Sequence, residues 1–218
     1  MSGRGFNRSI AVRYMMFVLG LFVGAFGTVL AIKANLGVAP WETFHIGLQK
    51  TFGLTIGLWS QIVGVVVIFA TYLVAKMKPN FGMFLNMICF GVFLDLILWL
   101  DFIPELQSIW ARLLMFLAGV VVLGVGIGMY LSPSLGAGPR DSFMLAMNER
   151  LGWSIQRVRL IIEVTVLLAG AALGGPVSIG TILIALLTGP MIQRTIPFWR
   201  QVMKKQYGLP APVERQAS

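Results

Sequence analysis

The stretch LGVAPWETF, which runs from Leu36 to Phe44, returns in altered form as LGAGPRDSF, from Leu135 to Phe143. The two copies lie 99 positions apart and agree at a Gly, a Pro and an acidic residue. Shared apolar residues arise by chance in an apolar chain, whereas shared Gly, Pro and acidic positions do not. The two stretches therefore indicate that one unit has been duplicated.

The duplication extends over most of the chain. At the same shift of 99 residues an arginine and three glycines coincide, namely Arg13 with Arg112, Gly20 with Gly119, Gly27 with Gly126, and Gly53 with Gly152. After a slip of one residue, Gly82 and Gly91 align with Gly180 and Gly189. The sequence thus predicts two copies of one structural unit.

The composition is that of an integral membrane protein. Of the 218 residues, 57% are hydrophobic and 11% are charged, and the mean hydropathy is +0.85. A helix needs roughly 20 apolar residues to cross the bilayer core, and six stretches qualify: residues 14–32, 54–75, 81–100, 110–131, 158–174 and 177–196. The short alternating segments of a β-barrel do not occur. We therefore predict an all-α polytopic membrane protein with six transmembrane helices.

Each half of the chain contains three of these spans and one short helix. The first repeat covers residues 14–100 with a short helix at 40–51, and the second covers 110–197 with a short helix at 139–151. The short helices are too short to cross and too charged to lie in lipid. Because the number of spans per half is odd, the second half enters the membrane from the opposite side, an inverted repeat as in several secondary transporters. Short helices that crossed would make the repeats parallel; Arg140 and Arg150 argue against this alternative.

The basic residues lie at the ends of the spans. They cluster before the first span, after the second and after the last, and the positive-inside rule places these ends in the cytoplasm. Residues 1–13 and the tail at 201–218 are therefore both predicted to be cytoplasmic, with the tail disordered from about Gln201. The net charge of +9 does not form a basic stripe with interleaved aromatics, so no nucleic-acid partner is expected.

The repeated stretch contains the residues that end one helix and begin the next. A Gly suits the end of the preceding helix, a Pro suits the first turn of the next, and a carboxylate two residues later meets the positive end of the helix dipole. These residues are Gly37, Pro40 and Glu42 in the first copy, and Gly136, Pro139 and Asp141 in the second. Helix capping alone is sufficient to explain the acidic residues, and we favour that interpretation.

The functional alternative brings both stretches toward the membrane interior from opposite faces. Two helix amino termini would then meet at a central site, because irregular backbone at that depth must be buried in protein or line a cavity. Glu42 and Asp141 would bind a cation or a proton there. Trp41, His45 and Arg140 would supply contacts that differ between the halves, although a lone histidine is more typical of packing.

Two further carboxylates lie within predicted spans. Asp95 falls in the third span and Glu163 in the fifth. An intramembrane carboxylate is a functional candidate by default, but both residues lie near a predicted span end, where interfacial water would satisfy them. Arg159, four residues before Glu163, also offers an ordinary helical ion pair. Both interpretations remain open for both residues.

The sequence contains no pattern typical of an enzyme. It lacks a phosphate-binding loop, an HExxH pattern and a GxSxG elbow, and it has one His and one Cys. We therefore expect no catalytic site, no cofactor and no bound metal. An ATP-driven process would need a partner ATPase.

Three segments resemble a known family. The segments ANLGVAPWETFHIGLQKTFGLTIG, GPRDSFMLAMNERLGWSI and FGMFLNMICFGVFLD are similar to the YczE/YitT-like group of bacterial membrane proteins. The resemblance covers roughly residues 14–197 and centres on the pattern LG-x-x-P-x-[DE]. The first copy has Trp-Glu where the family favours Trp-Asp, and the second has Arg-Asp. The resemblance implies a multi-pass protein of the bacterial inner membrane.

Two classes of function follow from these observations. The first is a small transporter or permease for an unidentified small solute, ion- or proton-coupled, with its site between the repeats. The second is a non-transporting membrane partner, either the substrate-capture subunit of an importer or an accessory protein for a biosynthetic or export system. The inverted repeats, the paired broken helices and the buried polar groups favour the first class, whereas a looser similarity to substrate-binding subunits of vitamin importers would imply a capture module. The partners expected are the lipid bilayer and a small solute, with a homodimer or a partner ATPase left open.

Overall fold

The computed structural model describes residues 2–136 and 138–208, with side chains from residue 9 onward. These ranges form eight α-helices and no strand: α1 (Ser2–Ala34), α2 (Pro40–Phe52), α3 (Ile56–Ala75), α4 (Phe81–Leu100), α5 (Ile109–Leu131), α6 (Pro139–Leu151), α7 (Ile155–Ala172) and α8 (Ile179–Tyr207). The prediction of an all-α protein is confirmed. The two short helices, α2 and α6, lie where the repeated stretches begin.

Within the described ranges, five helices are long and apolar enough to cross a membrane, namely α1, α3, α4, α5 and α8. The predicted fifth span, residues 158–174, corresponds to α7. This helix has 18 residues and carries three charged side chains, Arg157, Arg159 and Glu163. The outer faces of α3, α7 and α8 expose many large apolar side chains, among them Phe69, Leu73, Leu168 and Leu186.

The last helix extends further than the sequence predicts. The prediction that a disordered tail begins at about Gln201 is wrong up to Tyr207, where α8 ends. Met203 is 1% exposed and packs with Met16 of α1 and Met129 of α5. Burial of this side chain against two other helices stabilises the extra helical turns. Residues 209–218 of the predicted tail lie outside the described residues.

Helices α1 and α5 form the centre of the fold as a closely packed antiparallel pair. A Cβ atom at Gly20 would overlap the backbone of Tyr130, and one at Gly27 would lie 2.8 Å from the carbonyl oxygen of Gly119. Contacts this short require glycine, because any side chain would push the helices apart. Helices α1 and α5, which carry Arg13 and Arg112 at the shift of 99 residues, thus pack directly on each other.

Two arginines connect the ends of these helices in the same way. The Nη1 atom of Arg13 donates to the Pro133 carbonyl oxygen at 3.1 Å, and the Nε atom of Arg112 donates to the Ala34 carbonyl oxygen at 2.8 Å. Donors and acceptors in both bonds are equivalent at the shift of 99 residues. Each guanidinium therefore satisfies carbonyls at the carboxyl end of the other helix, where a cation is favourable.

Each repeated stretch packs on a helix of the other half. Gly37, at φ +133°, lies against the start of α8, and Gly136, at φ +151°, lies against the start of α4. Both φ values favour glycine. The Gly180 N–H donates to the Leu36 carbonyl oxygen at 3.1 Å, and Gly82, the residue equivalent to Gly180, lies against the carbonyl of Leu135. These contacts fix where α2 and α6 begin.

Each short helix packs mainly on a long helix of the other half of the chain. Helix α2 packs mainly on α7, and α6 packs mainly on α3. Thr43 Oγ1 donates to the Pro176 carbonyl oxygen at 3.1 Å, and Lys50 Nζ donates to the Gly174 carbonyl oxygen at 2.9 Å. Both short helices are therefore enclosed by longer ones, with their amino termini directed toward the middle of the protein.

Candidate functional site

A cavity of about 270 Å³ lies at the amino-terminal ends of α2 and α6. All eight helices contribute residues to its wall. Most of the wall is apolar, with side chains such as Leu21, Val67, Phe90, Leu123 and Ile184. The charged side chains of the wall come from α2, α6 and α7. The cavity thus combines an apolar wall with one charged region, the usual composition of a small-molecule site.

The charged region joins the two halves of the chain. Arg140, in the first turn of α6, donates from Nη1 to Glu42 Oε1 of α2 at 3.2 Å. Its guanidinium carbon also lies 4.8 Å from the ring centroid of Trp41. Glu42 is 5% exposed, so this charge-assisted bond is the main compensation for a buried carboxylate. Three predicted site residues are therefore in direct contact.

Asp141 lines the same cavity but is held differently from Glu42. The backbone of Gly138 forms a hydrogen bond with its carboxylate, which is the contact that the capping interpretation requires. Among the described residues it makes no ion pair. Burial raises the pKa of Asp141, while the charges of Arg159 and Arg140 oppose this shift. Asp141 therefore makes a backbone hydrogen bond at the start of α6, while its carboxylate lies at the cavity with no salt bridge to a described basic side chain.

Glu163 is placed at the cavity by α7. Arg159 Nε donates to Glu163 Oε1 at 2.8 Å, four residues apart on the helix. The predicted helical ion pair is confirmed, and both members line the cavity. Arg159 and Glu163 therefore face the cavity, whereas Arg157 is exposed, and the three charges together keep α7 from qualifying as a span by its composition.

Asp95 does not line the cavity. It accepts a hydrogen bond from the Gly57 N–H at 2.8 Å and another from Thr55 Oγ1 at 2.5 Å, at the start of α3. Thr55 is itself the N-cap of that helix and accepts from the Leu58 N–H. Asp95 is expected from the sequence to be either functional or satisfied by interfacial water at a span end; its oxygens instead accept hydrogen bonds from groups at the start of α3.

His45 is buried beside the site rather than in its wall. The side chain is 1% exposed, and neither ring nitrogen has a hydrogen-bond partner within the described ranges. Burial lowers the pKa of His45, and the charge of Arg140 adds to the effect. A neutral imidazole packed in the interface of α2 fits these surroundings.

The sequence did not mark Tyr130 as a residue of the site, and it marked Asn86 only as an uncharged polar residue within a predicted span. Tyr130 lines the cavity near the end of α5, where an aromatic residue is typical of an interfacial belt. Asn86 is 8% exposed, and its side-chain nitrogen lacks a hydrogen bond of ordinary geometry in the described part of the chain, although Tyr130 is its neighbour. A polar residue in the middle of an apolar span was the available signal for Asn86.

These features define a class of protein: a multi-pass helical membrane protein with a central cavity that carries charged side chains. Residues 11–197 match the family described as "Family of unknown function (DUF6198)", and the chain belongs to this family. The predicted YczE-like resemblance is confirmed.

Two relatives come from Bacillus subtilis and one from Haemophilus influenzae. The "Uncharacterized membrane protein YczE" of Bacillus subtilis is 41% identical over 193 residues, which cover 88% of each chain. The "Uncharacterized protein YyaS" of the same organism is 26% identical, over 85% of this chain and 93% of its own. An "Uncharacterized protein" of Haemophilus influenzae is 30% identical, over 84% of this chain and 81% of its own. No solved structure matches the chain significantly.

Proposed function

We propose that this protein is a small bacterial transporter or permease for a small solute, coupled to protons or another ion, with its site in the central cavity. The observation that carries the proposal is the contact of Glu42 with Arg140 at the meeting point of two helix amino termini. Transport sites with ends of short or broken helices at the middle of the fold occur in several transporter families.

The proposed architecture is an inverted pair of three-span repeats in the inner membrane, with both termini in the cytoplasm. The antiparallel packing of α1 on α5 and the matching bonds of Arg13 and Arg112 support it. Helix α7 would be the sixth span, since its Arg159 and Glu163 face the cavity and its apolar residues face outward. The enclosed α2 and α6 would be re-entrant helices.

The proposed coupling rests on two carboxylates that compete for one guanidinium. Arg140 is bound to Glu42, and its charge also acts on Asp141. With Asp141 protonated, Arg140 stays on Glu42; when Asp141 loses its proton, Arg140 is drawn toward the second carboxylate. Because Glu42 and Arg140 belong to different halves, such a transfer would change the contact between them and expose the cavity to alternate sides.

Proton flux into proteoliposomes tests this proposal. A proton-driven permease should acidify or alkalinise the lumen when a substrate gradient is imposed, and Glu42→Gln and Asp141→Asn should each abolish the flux. Glu149→Gln is the matched control, because Glu149 is exposed on the same helix as Asp141. Unchanged flux in both cavity variants together with lower thermal stability would leave only the capping role. Solute binding without flux would favour the substrate-capture alternative.

A further inference from the structure

The two halves differ in how their second and third long helices pack. In the first half, α3 and α4 are in close contact: a Cβ atom at Gly91 would lie 2.7 Å from the Gly57 carbonyl oxygen. Gln61 Nε2 donates across the same interface to the Ile88 carbonyl oxygen at 3.2 Å, and Asp95 binds the Gly57 N–H. We call the line along which the second and third long helices of a half face each other the seam of that half. The seam between α3 and α4 is closed by these contacts.

The equivalent seam in the second half is open. The backbones of α7 and α8 come close to each other hardly anywhere, in contrast to those of α3 and α4. At Gly189, the residue equivalent to Gly91, a Cβ atom would have no heavy atom of another described helix within 4 Å. Gln156 stands where the first half has Gly57, so the pair of glycines that lets α3 and α4 approach is absent.

The open seam leads into the cavity. Ile162 and Glu163 of α7 line the cavity on one side of it, and Ala185 and Thr188 of α8 line it on the other. Ala185 lines the cavity and is itself exposed. Around the seam the outer surface is apolar, as expected where a helix faces acyl chains.

We propose that the gap between α7 and α8 is a lateral portal through which the cavity takes an amphipathic monocation, an alkylammonium type of ligand, from the bilayer. The inference rests on the proposed function in that it concerns the same cavity. An aqueous solute gains nothing from an opening toward lipid, whereas a ligand with an apolar body is concentrated there.

The charges of the cavity specify the sign of the ligand. Its carboxylates are Glu42, Asp141 and Glu163, and its guanidinium groups are those of Arg140 and Arg159. Three carboxylates face two guanidinium groups, and Asp141 is the carboxylate without an ion pair among the described residues, so the ammonium group would bind there in competition with Arg140. The buried amide of Asn86 adds an acceptor oxygen at the same wall. The apolar wall then accommodates the alkyl chain.

Thermal stability in phosphatidylcholine nanodiscs tests the ligand class, because a ligand stabilises the state that it binds. Octylammonium should raise the melting temperature, whereas octanoate and methylammonium at the same concentration should not. Asp141→Asn should remove the shift, and Glu149→Gln should keep it. An equal shift with octanoate, or a shift that persists in Asp141→Asn, would overturn the assignment.

Binding kinetics test the portal separately. Ala185→Trp should slow both association and dissociation of octylammonium by tenfold or more while the affinity changes little. Gly189→Leu, one turn further along α8, is the second variant, and Leu186→Trp, exposed on the outer face, is the control. Unchanged rates in both seam variants would refute lateral entry. Octylammonium binding without proton flux would instead reject the transport proposal and leave the portal intact.

Discussion

Arg140 and Glu42 join the two halves of the chain where α2 and α6 begin, with 3.2 Å between Nη1 and Oε1. The residues are 98 positions apart in the sequence. The side chain of Glu42 is 7% exposed and that of Arg140 is 32% exposed. The carboxylate is thus removed from water while its partner remains open to the cavity, so Glu42 depends on this one guanidinium more than the reverse.

Arg140→Gln should therefore destabilise the protein strongly. Removing one partner of a buried ion pair leaves an uncompensated charge, which typically costs about 3–5 kcal/mol. The double variant Glu42→Gln/Arg140→Gln should recover a large part of that loss, since no charge is left buried. Thermal unfolding in detergent measures the stability of the single and of the double variant. Arg150→Gln is the control, because Arg150 is exposed at the end of the same helix. Strictly additive losses would show that the two side chains do not depend on each other.

The close packing of α1 on α5 predicts that replacing a glycine of α1 by alanine lowers stability at some positions and not at others. Gly27→Ala should destabilise the protein by about 1–3 kcal/mol, because the new methyl group must displace backbone of α5. Gly24→Ala on the same helix should have little effect, since its nearest neighbour would be Phe90 at an ordinary 3.9 Å. The melting temperature of Gly27→Ala should be lower than that of Gly24→Ala, and equal values would contradict the close packing of α1 on α5 at Gly27.

The parts of the fold that could be predicted are those that the local sequence determines. Apolar stretches of sufficient length predict the long helices, and the Gly and Pro residues of the repeated stretch predict where α2 and α6 begin. The extension of α8 to Tyr207 was not predictable, because it depends on burial of Met203 between α1 and α5. Local sequence there is polar, and only the tertiary contact favours the helix.

In the candidate site too, the residues could be predicted from local sequence, whereas their contacts could not. Glu42, Asp141 and Arg140 were identified because the repeat marks them, but the ion pair was not, since the alignment places Arg140 opposite Trp41 rather than opposite an acid. Their contact arises only when the two helix amino termini face each other across the cavity. The role of Asp95 was likewise undetermined, because the amide that it binds belongs to another helix.

Asp95 should act on stability and not on transport. Asp95→Ala removes the acceptor for the Gly57 N–H at the start of α3, and loss of such a cap typically costs about 0.5–2 kcal/mol. The melting temperature should fall, whereas proton flux per folded molecule should match that of the unsubstituted protein. Asp141→Asn provides the contrast, with lost flux. A comparable loss of flux in Asp95→Ala would place Asp95 in the transport pathway.

His45 should make stability depend on pH. Its pKa is lowered in the folded protein because the ring is buried beside Arg140, so the unfolded chain takes up a proton more readily. Above the ordinary histidine pKa of 6.5 neither state is protonated and the effect is absent. As the pH falls below that value, only the unfolded state gains the proton, and stability should decrease by up to about 1.4 kcal/mol per pH unit.

His45→Leu should abolish this dependence, because His45 is the single histidine of the sequence. The comparison is best made between about pH 5 and pH 7, above the range in which exposed carboxyl groups titrate. Melting temperatures of the unsubstituted protein should decline across that range toward acid, while those of His45→Leu should decline less. Parallel curves for the two proteins would mean that the imidazole takes up its proton in the folded state, and the interface of α2 would then have to accommodate a buried cation next to Arg140.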